Sequence, residues 1–596
     1  MRTTYLAKLL IPAAALAIGG CASTHAPAPR RAQAQQAAAP VELTLIAIND
    51  FHGNLEPPRR SVTVPAEGAQ PEVKVPAGGA AYLASAVNAI RARSPNHLVV
   101  SAGDLIGASP LVSSLFLDEP TIEAMNLIDL DFNAVGNHEF DRGRAELLRL
   151  ARGGCEKHTR REPCALNSTF VGAAFGFLAA NVITERQETL FPSHAIRSFG
   201  TGGARVDVAV IGMTLAETPS LVTPAGVAGL SFRDEADTVN ALVPRLKAQG
   251  ADMIVVLIHQ GLDTESSYDS KSCDGLSGDL MPVLRRLSPE VDVVVSGHTH
   301  QAYICDFAQV DPQRPFLVTS GGSYGTLVTE IRVTVDPRHG VTARSADNHI
   351  VQSQAFSGSG GAVELSTRVA RFGPDPRVAA LVERYRAAAE PLAARVVGSL
   401  AASALRERGP SGESVLGNLI ADAQLAATRS SGAEIAFMNP GGLRADLVPA
   451  ADGSVSFGAI YAVQPFGNTM IVKSFTGRQV KAILEQQWAS GSNTAERPNI
   501  LLTSAGFTYA YDLSRPPGQR LLEVRLDGGP LADDRVYRVA MSNFLASGGD
   551  NFTMFQEGAD QVGGPQDIDV LEAYLAANPR LAPPPTNRIR NLTPAK

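Results

Sequence analysis

Residues 41–350 repeat one local pattern, in which an apolar run typical of a buried strand is followed at once by a polar loop. The segments ADMIVVLIHQG (251–261) and VDVVVSGHTH (291–300) show this pattern, and helix-like segments such as GGAAYLASAVNAIRAR (78–93) lie between such runs. Strands that alternate with helices predict a layered α/β domain with the helices outside. In such folds the chemistry gathers in the loops beyond the strand ends.

A chain of 596 residues is too long for one hydrophobic core, so we expect two sizeable domains. The first is predicted over 41–364, where FLVTSGGSYGTLVTEIRVTV (316–335) suggests paired strands that close the domain. A long helix that contains Pro391 predicts a connector or hinge over 365–397. The second, smaller α/β domain is predicted over 398–590, and glycine, aromatic residues and arginine recur in its loops.

The N-terminus indicates export. Arg2 and Lys8 precede an apolar run too short to span a bilayer, which is typical of a cleaved signal peptide over residues 1–20. The segment LAIGGC resembles a bacterial lipobox and implies lipidation of Cys21, followed by a disordered tether over 21–40. The alternative is a plain signal peptide with an incidental cysteine. The lipobox predicts a membrane contact through the lipid alone. Ala22 after the lipid cysteine gives no inner-membrane retention signal, so the outer membrane is favoured, with the protein facing the periplasm or the cell surface.

The four cysteines that remain after Cys21 predict two disulfides, because an even number of cysteines in an exported protein is typical of paired thiols. Sequence proximity favours Cys155–Cys164 and Cys273–Cys305, although four cysteines allow three connectivities. A zinc site built from all four is disfavoured, since the chain has no CxxC pair among them.

The net charge of −7 and the lack of a long basic run argue against a nucleic-acid polymer as partner, while a small anionic substrate stays open. The sequence leaves the oligomeric state undetermined.

Five short motifs follow the apolar runs of the first domain. They are Asp50-Phe51-His52, Gly103-Asp104, Gly136-Asn137-His138-Glu139, His259 and Gly297-His298-Thr299-His300. Each motif alone is more often a polar turn or a satisfied core histidine than a metal ligand. Together they hold five of the eleven histidines, and one end of one sheet could gather them. Imidazole, carboxylate and amide oxygen are ligands that divalent metals prefer, so the set predicts a metal centre.

The order DxH, GD, GNH(E/D), H and GHxH resembles the calcineurin-like dimetal phosphoesterases. The resemblance implies an N-terminal β-sandwich flanked by helices and two divalent ions, either zinc, manganese or cobalt. It implies that Asp50, His52 and His300 bind the first metal, that Asn137, His259 and His298 bind the second, and that Asp104 bridges them.

The same resemblance gives His138 a catalytic role. A metal-bound hydroxide would attack phosphorus, and His138 would stabilise the developing charge and protonate the leaving oxygen. Asp141 would orient His138, as a carboxylate orients a catalytic imidazole. Asp141 is also a candidate cap for the helix-like segment RGRAELLRL (142–150).

The second domain carries LGNLIADA, NPGGLRADL, PFGN and NFLASGGDNF, which resemble the C-terminal domain of the 5′-nucleotidase family. The resemblance covers nearly everything from about 42 to 590. It implies that two phenylalanines sandwich a base, that an aspartate accepts from ribose hydroxyls, and that an asparagine and two arginines bind the rest of the substrate. These residues are Phe466, Phe544, Asp550, Asn439, Arg444 and Arg408.

Three of the substrate residues have a structural alternative. Core packing would explain Phe466 and Phe544, and a surface ion pair would explain Arg444. The family usually has an arginine in the loop before the LGNLIADA helix, and Arg408 is the first candidate for its equivalent, with Arg406 second. The offset of Arg408 from the helix is longer than the family pattern.

The leading prediction is an exported, metal-dependent 5′-nucleotidase that hydrolyses nucleoside 5′-phosphates to nucleoside and phosphate. A 2′,3′-cyclic phosphodiesterase/3′-nucleotidase and a nucleotide-sugar or NAD pyrophosphatase carry the same metal set and stay open. A non-catalytic nucleotide-binding or adhesive lipoprotein is the more distant alternative. The family resemblance also implies a domain rotation that brings the metal centre and the base site together across a cleft.

Overall fold

The computed structural model describes residues 39–68, 70–159, 161–358 and 361–594. Cys21, the predicted signal peptide and residues 21–38 of the predicted tether lie outside these residues. No helix in the described ranges is both long and apolar enough to cross a bilayer.

Two six-stranded sheets form the first domain. The first sheet runs in the order Gly340–Ile350, Leu327–Asp336, Val41–Ile48, His97–Ser101, Phe132–Ala134 and Gly176–Leu178. The second runs in the order Ala302–Asp306, Leu317–Gly321, Val293–Ser296, Met253–His259, Val206–Thr214 and His194–Phe199. The central strands of both sheets are parallel, and antiparallel strands lie beside them.

The apolar strands are buried on both faces because each sheet lies between its partner sheet and a layer of helices. Along Met253–His259, Val255 and Leu257 face the core between the sheets, whereas Ile254 and Val256 face the helices. This period of two explains why the strands read as continuous apolar runs in the sequence. The predicted α/β sandwich flanked by helices is confirmed.

The helices of this domain are short, apart from three that cover the outer faces of the sheets. The helices are Ala80–Arg91, Leu111–Ser114, Glu119–Ile128, Arg144–Arg152, Thr218–Leu221, Glu235–Ala248 and Leu280–Leu284. Three small two-stranded sheets accompany them, namely Arg60–Val64 with Val73–Ala77, Val182–Thr184 with Leu230–Phe232, and Phe356–Gly358 with Gly361–Val363.

The segment 316–335 differs from the prediction of paired strands. Its two strands, Leu317–Gly321 and Leu327–Asp336, lie in opposite sheets and do not pair with each other. The chain crosses between the sheets through a glycine-containing turn in which Gly322 has φ 71°. Alternating polarity indicates a sheet surface but carries no information on which sheet a strand joins.

A long helix follows the first domain, as predicted. It spans Pro376–Ala393 with Pro391 inside it, and the carboxylate of Asp375 caps its first turn by accepting from the amides of Arg377 and Val378. Its buried side chains Val378, Leu381 and Tyr385 belong to the apolar cluster of the first domain.

The second domain contains a mixed five-stranded sheet and a four-stranded sheet. The first runs in the order Leu502–Thr503, Ile435–Met438, Val536–Ser542, Thr469–Thr476 and Ala559–Gln566, and the second in the order Gly529–Pro530, Leu521–Leu526, Phe507–Tyr511 and Ile589–Asn591. A short ribbon pairs Val396–Ser399 with Ser454–Ser456. The helices are Val415–Thr428, Phe457–Val463, Gly477–Glu485, Asn543–Ala546 and Asp567–Ala577. The predicted smaller α/β domain is confirmed.

Candidate metal centre and substrate cleft

The five motifs of the first domain converge at the carboxyl ends of five parallel strands. Three of these strands belong to the first sheet and end before Asp50, Asp104 and Asn137. The other two belong to the second sheet, where His259 ends one strand and His298 follows the next. The motifs therefore meet across the open end of the sandwich, and the expectation that a single sheet gathers them is wrong.

The loops turn sharply as they leave the strands. Asp50, His52, Asp104, His298 and His300 all have φ between 46° and 71°, a region that non-glycine residues rarely adopt. Strained backbone of this kind clusters at functional sites, where surrounding contacts hold it.

Glycines in the motifs allow the loops to approach one another. A Cβ at Gly136 would lie 2.2 Å from Asp104 Oδ1, and one at Gly103 would lie 2.6 Å from His259 Nδ1. Both distances are far below van der Waals contact, so these two positions accept only glycine.

One group of candidate metal ligands consists of Asp50, His52 and His300. His300 Nε2 lies 3.3 Å from Asp50 Oδ1 and 3.1 Å from His52 Nε2. His52 Nε2 also lies 3.6 Å from Asp104 Oδ2. Asp50 and His52 are fully buried, so a metal here would be largely shielded from solvent.

The second group consists of Asp104, His259 and His298. His259 Nε2 lies 3.0 Å from Asp104 Oδ2, and His298 Nδ1 lies 3.1 Å from Asn137 Oδ1. Asp104 lies beside both groups, as expected of a bridging ligand. All seven residues predicted to bind metal are thus brought together.

Backbone carbonyls orient two of the imidazoles. His52 Nδ1 lies 2.9 Å from the carbonyl of Gly107, and His259 Nδ1 lies 2.8 Å from the carbonyl of Ala102. A ring that donates from Nδ1 keeps its Nε2 free as a ligand, which is the usual arrangement around metal-binding histidines.

These side chains fit a divalent ion. His259 Nε2 is buried and makes no hydrogen bond. When Nδ1 donates to Ala102, Nε2 faces the Asp104 oxygen 3.0 Å away, and this contact is favourable only with a proton or a metal ion between the two atoms. A metal ion that binds both atoms would take the place of that proton.

The electrostatics of the cluster also favour positive charge. Burial alone would lower the pKa of His259, but Asp104 and Asp50 outweigh it and raise the pKa to about 10. Burial would raise the pKa of Asp50, but His300 and His259 hold it at about 2. The histidines likewise lower the pKa of Asp104, so the buried carboxylates of Asp50 and Asp104 both stay ionised and require positive charge nearby.

His138 lies beside the two ligand groups and contacts Asp141. Its Nδ1 is 2.9 Å from Asp141 Oδ2, and its ring centroid is 5.0 Å from that of His52. Burial would lower the pKa of His138, but the carboxylates of Asp141 and Asp104 raise it.

Asp141 does not cap the following helix, because Gly143 is the N-cap of Arg144–Arg152. The carboxylate of Asp141 instead accepts from His138 and from the amide of Ala108.

A cleft extends from His138 to the second domain. It is lined by His138 and by five residues predicted to bind substrate, namely Asn439, Arg444, Phe466, Phe544 and Asp550. The ring of Phe466 stacks on His138 with centroids 5.7 Å apart and planes 19° apart. Asn439 donates from Nδ2 to Asp550 Oδ2 over 2.7 Å, so these two side chains form one polar surface.

The structure does not bring Arg408 to this cleft. A turn in which Gly409 N–H bonds to Glu413 O carries Arg408 to a separate surface pocket. Arg406 lies closer, since its Nη1 donates to the carbonyl of Leu443 over 3.2 Å. Burial and the positive charges of Arg60 and Arg444 lower the pKa of Arg406. Arg406, the second candidate in the sequence, is therefore the arginine near the cleft.

Both favoured disulfides, Cys155–Cys164 and Cys273–Cys305, are present. The loop closed by the first reaches the second domain through Arg161, which donates to the hydroxyl of Tyr461 over 3.2 Å. Tyr461 in turn donates to the carbonyl of Pro465, the residue before Phe466.

Two family models match the chain in order. They are "Calcineurin-like phosphoesterase" over residues 43–302 and "5′-nucleotidase, C-terminal domain" over residues 396–557. A solved structure of a 5′-nucleotidase precursor from Thermus thermophilus is similar, with a TM-score of 0.71 and 28% identity, and the match covers 93% of this chain and 100% of that one. The chain belongs to the 5′-nucleotidase family.

Two curated relatives are similar to this chain over most of its length. The NAD 5′-nucleotidase of Haemophilus influenzae is 26% identical over 579 residues, which is 88% of this chain and 87% of the relative. Endonuclease YhcR of Bacillus subtilis is 28% identical over 538 residues, which is 90% of this chain. This chain spans only 40% of the length of that endonuclease.

Membership of the 5′-nucleotidase family makes the chain a phosphoric ester hydrolase, and the calcineurin-like domain indicates a dimetal centre.

Sequence reasoning missed the role of Glu139 in this 5′-nucleotidase-family site. Its carboxylate accepts from the amides of Asp104, Leu105 and Gly136 over 2.7–3.0 Å. Burial and the nearby Asp104 raise the pKa of Glu139 to about 8. Glu139 thus ties together the two loops that carry Asp104 and Asn137, and its place in the GNHE motif is the only sequence signal.

Sequence reasoning also missed Glu217, which crosses from the first domain to the second. Its Oε1 accepts from Asn551 Nδ2 over 2.7 Å and from Ser492 Oγ over 3.2 Å. Asn551 follows Asp550, and both residues have left-handed backbone with φ 63° and 54°. Glu217 therefore holds the turn that presents Asp550 to the cleft. No local sequence pattern around Glu217 predicts this role.

We expect Glu217→Ala to raise KM for a nucleoside monophosphate about tenfold with a smaller change in kcat. The expectation follows from the loss of a hydrogen bond to a charged acceptor, worth about 1.5–3 kcal/mol. Glu217→Gln keeps an acceptor oxygen and should stay close to the wild type. Steady-state phosphate release measures both constants, and an unchanged KM in Glu217→Ala would contradict this role.

Proposed function

We propose that this protein is an exported, metal-dependent 5′-nucleotidase that hydrolyses nucleoside 5′-phosphates to nucleoside and phosphate. The observation that supports this most directly is the stacking of Phe466 on His138 at 5.7 Å. It joins the candidate base site of the second domain to the candidate acid of the first. A nucleotide whose base lies against Phe466 would therefore have its phosphate beside the metal ligands.

In this proposal two divalent ions are held by the seven residues described above, with Asp104 between them. The ions would supply a hydroxide at neutral pH and would neutralise charge on the phosphate oxygens. Zinc, manganese and cobalt all suit imidazole and carboxylate ligands, so the ligand set does not select among them.

His138 acts in the proposal as the general acid. Expulsion of the ribose 5′-oxygen requires a proton, and an imidazole beside the cleft is placed to give one. The carboxylate of Asp141, 2.9 Å from Nδ1, fixes the ring orientation so that Nε2 is the proton donor.

The cleft supplies recognition of the nucleoside. Phe466 and Phe544 offer flat apolar partners for a base, and Asp550 offers acceptors for ribose hydroxyls. Arg444 suits a phosphate, because its guanidinium is a planar two-pronged donor. Asn439, which donates to Asp550, would position the ribose acceptor and contact the base.

The location and domain limits are part of the same proposal. Cleavage before Cys21 and its lipidation would anchor the protein to the outer membrane, facing the periplasm or the cell surface. The two disulfides are consistent with an oxidising compartment outside the cytoplasm. The proposed domains are 41–364 and 398–590, and a hinge over 365–397 would allow them to rotate.

The first experiment is product analysis with the purified protein, using AMP, 3′-AMP and 2′,3′-cyclic AMP with and without added Mn²⁺ or Zn²⁺. We expect metal-dependent release of phosphate from AMP and a loss of about 10²–10⁴-fold in His138→Ala, the usual contribution of a general acid. Preference for 3′-AMP or the cyclic ester would replace the proposed substrate with the phosphodiesterase alternative. No hydrolysis of any ester with metal bound would reject the proposed activity.

The base site has a separate test. We expect Phe544→Ala to raise KM for AMP about tenfold or more, because stacking of a base on an aromatic ring contributes about 1–3 kcal/mol. Hydrolysis of glycerol phosphate, which has no base, should not change in the same variant. Equal losses on both substrates would show that Phe544 only supports the fold.

A further inference from the structure

The disulfide Cys155–Cys164 closes a loop between the helix Arg144–Arg152 and the strand Gly176–Leu178 of the first domain. This segment, residues 155–164, is the disulfide loop. Cys155 is exposed, so the loop stands at the surface, yet it also contacts the second domain through Arg161. The proposed reaction gives no role to the loop or to that contact.

A buried cluster of three charges holds the base of the disulfide loop. Arg149 donates to Glu146 over 2.7 Å and to Glu119 over 2.9 Å, and the three side chains are at most 2% exposed. Arg149 also donates to the carbonyl of Gly154, and Glu119 accepts from the amide of Cys164. Because a buried charge is strongly destabilised when it loses its partner, this cluster fixes both ends of the loop.

Arg161, near the end of the disulfide loop, bonds to both domains. Its Nη1 donates to the carbonyl of Ser114 over 3.0 Å, and its Nη2 donates to the hydroxyl of Tyr461 over 3.2 Å. Its guanidinium carbon also lies 5.5 Å from the centroid of the Tyr461 ring. Ser114 ends a helix of the first domain, whereas Tyr461 lies in the helix Phe457–Val463 of the second. The planar fork of one arginine therefore fixes the Tyr461 hydroxyl relative to the first domain.

Tyr461 connects Arg161 to the chain that leads to Phe466. The ring of Tyr461 is buried in one apolar cluster with Leu111, and its hydroxyl donates to the carbonyl of Pro465 over 3.2 Å. That carbonyl and the amide nitrogen of Phe466 belong to one planar peptide unit. The hydrogen bond to the carbonyl therefore sets the plane from which the backbone of Phe466 continues.

The backbone on the other side of Phe466 gives the ring little restraint. Phe466 is only half-buried, and Gly467 follows it with φ 65° and open space where a Cβ would lie. Glycine is the most flexible residue, so it does not fix the direction of the chain. The chain is held again at Asn468, whose carbonyl accepts from the amide of Asp567 over 2.8 Å. The hydroxyl of Tyr461 supplies the restraint on the side before Phe466.

We propose that the disulfide loop positions Phe466 for base binding and that Arg161 and Tyr461 are the positioning residues. Both act through the carbonyl of Pro465. The proposal rests on the proposed function, which puts the base of a nucleotide against Phe466. Loss of either hydrogen bond therefore weakens the binding of ligands that carry a base and spares ligands that lack one.

The first test compares AMP with glycerol phosphate, which has no base, in steady-state phosphate release. We expect Arg161→Ala and Tyr461→Phe each to raise KM for AMP about fivefold, the size expected for one lost hydrogen bond, and to leave KM for glycerol phosphate within about twofold. Tyr461→Phe keeps the ring, so the packing of the apolar cluster is preserved. Arg161→Lys keeps a cationic donor and should recover part of the loss.

The double variant Arg161→Ala/Tyr461→Phe shows whether the two side chains act on one path. We expect its KM for AMP to match that of either single variant, because residues in one hydrogen-bond network are not additive. Lys157→Ala is the matched control and should keep the KM of the wild type, since Lys157 is an exposed cation that forms its ion pair within the same loop. Cys155→Ser combined with Cys164→Ser should raise KM for AMP as Arg161→Ala does.

Hydrogen exchange of the peptide 461–470 gives a readout that does not depend on turnover. We expect about fivefold faster exchange in Arg161→Ala and in Tyr461→Phe, with no change in the peptide 543–551, which carries Phe544. This result supports the proposal even if AMP is not hydrolysed, an outcome that would reject only the proposed function. The proposal is overturned by unchanged exchange in both variants, by equal rises in KM for AMP and glycerol phosphate, by additive effects in the double variant, or by a cysteine variant that behaves as the wild type.

Discussion

The site depends on a buried carboxylate, Asp104, that several loops surround. One oxygen lies 3.0 Å from His259 Nε2 and 3.6 Å from His52 Nε2, and the other accepts from the amide of His138. A carboxylate that is 1% exposed stays charged only beside compensating groups. Three features gather the histidines and backbone amides around Asp104. They are the strand ends of both sheets, the left-handed turns, and the glycines that permit the loops to approach closely.

Much of this arrangement can be predicted because its signals are local. An apolar run followed by a histidine or aspartate shows where a buried strand ends, and parallel strands bring such ends together. The seven metal-ligand candidates and His138 with Asp141 are therefore accessible from the sequence, helped by the family resemblance. The helix Val415–Thr428 of the second domain, which contains LGNLIADA, and the two disulfide pairings follow from equally local patterns of polarity and spacing.

The remaining features depend on contacts between distant parts of the chain. Glu217 meets Asn551 across the domains, and Arg161 meets Tyr461, although no periodicity marks either pair. The sequence favours Arg408 over Arg406 because the direction of a tight turn cannot be read from composition. For the same reason, the sequence predicts that the two strands of segment 316–335 pair, although they lie in opposite sheets.

A dimetal centre around Asp104 is tested by the metal content of the purified protein after dialysis against buffered Mn²⁺ or Zn²⁺, measured by elemental analysis. We expect two ions per chain in the wild type, and fewer than two in Asp104→Ala, because Asp104 lies beside both ligand groups. Thr299→Ala, which alters the residue between two ligands but none of the ligands, should keep both ions. One ion or none in the wild type, or two ions in Asp104→Ala, would contradict a dimetal centre built around this carboxylate.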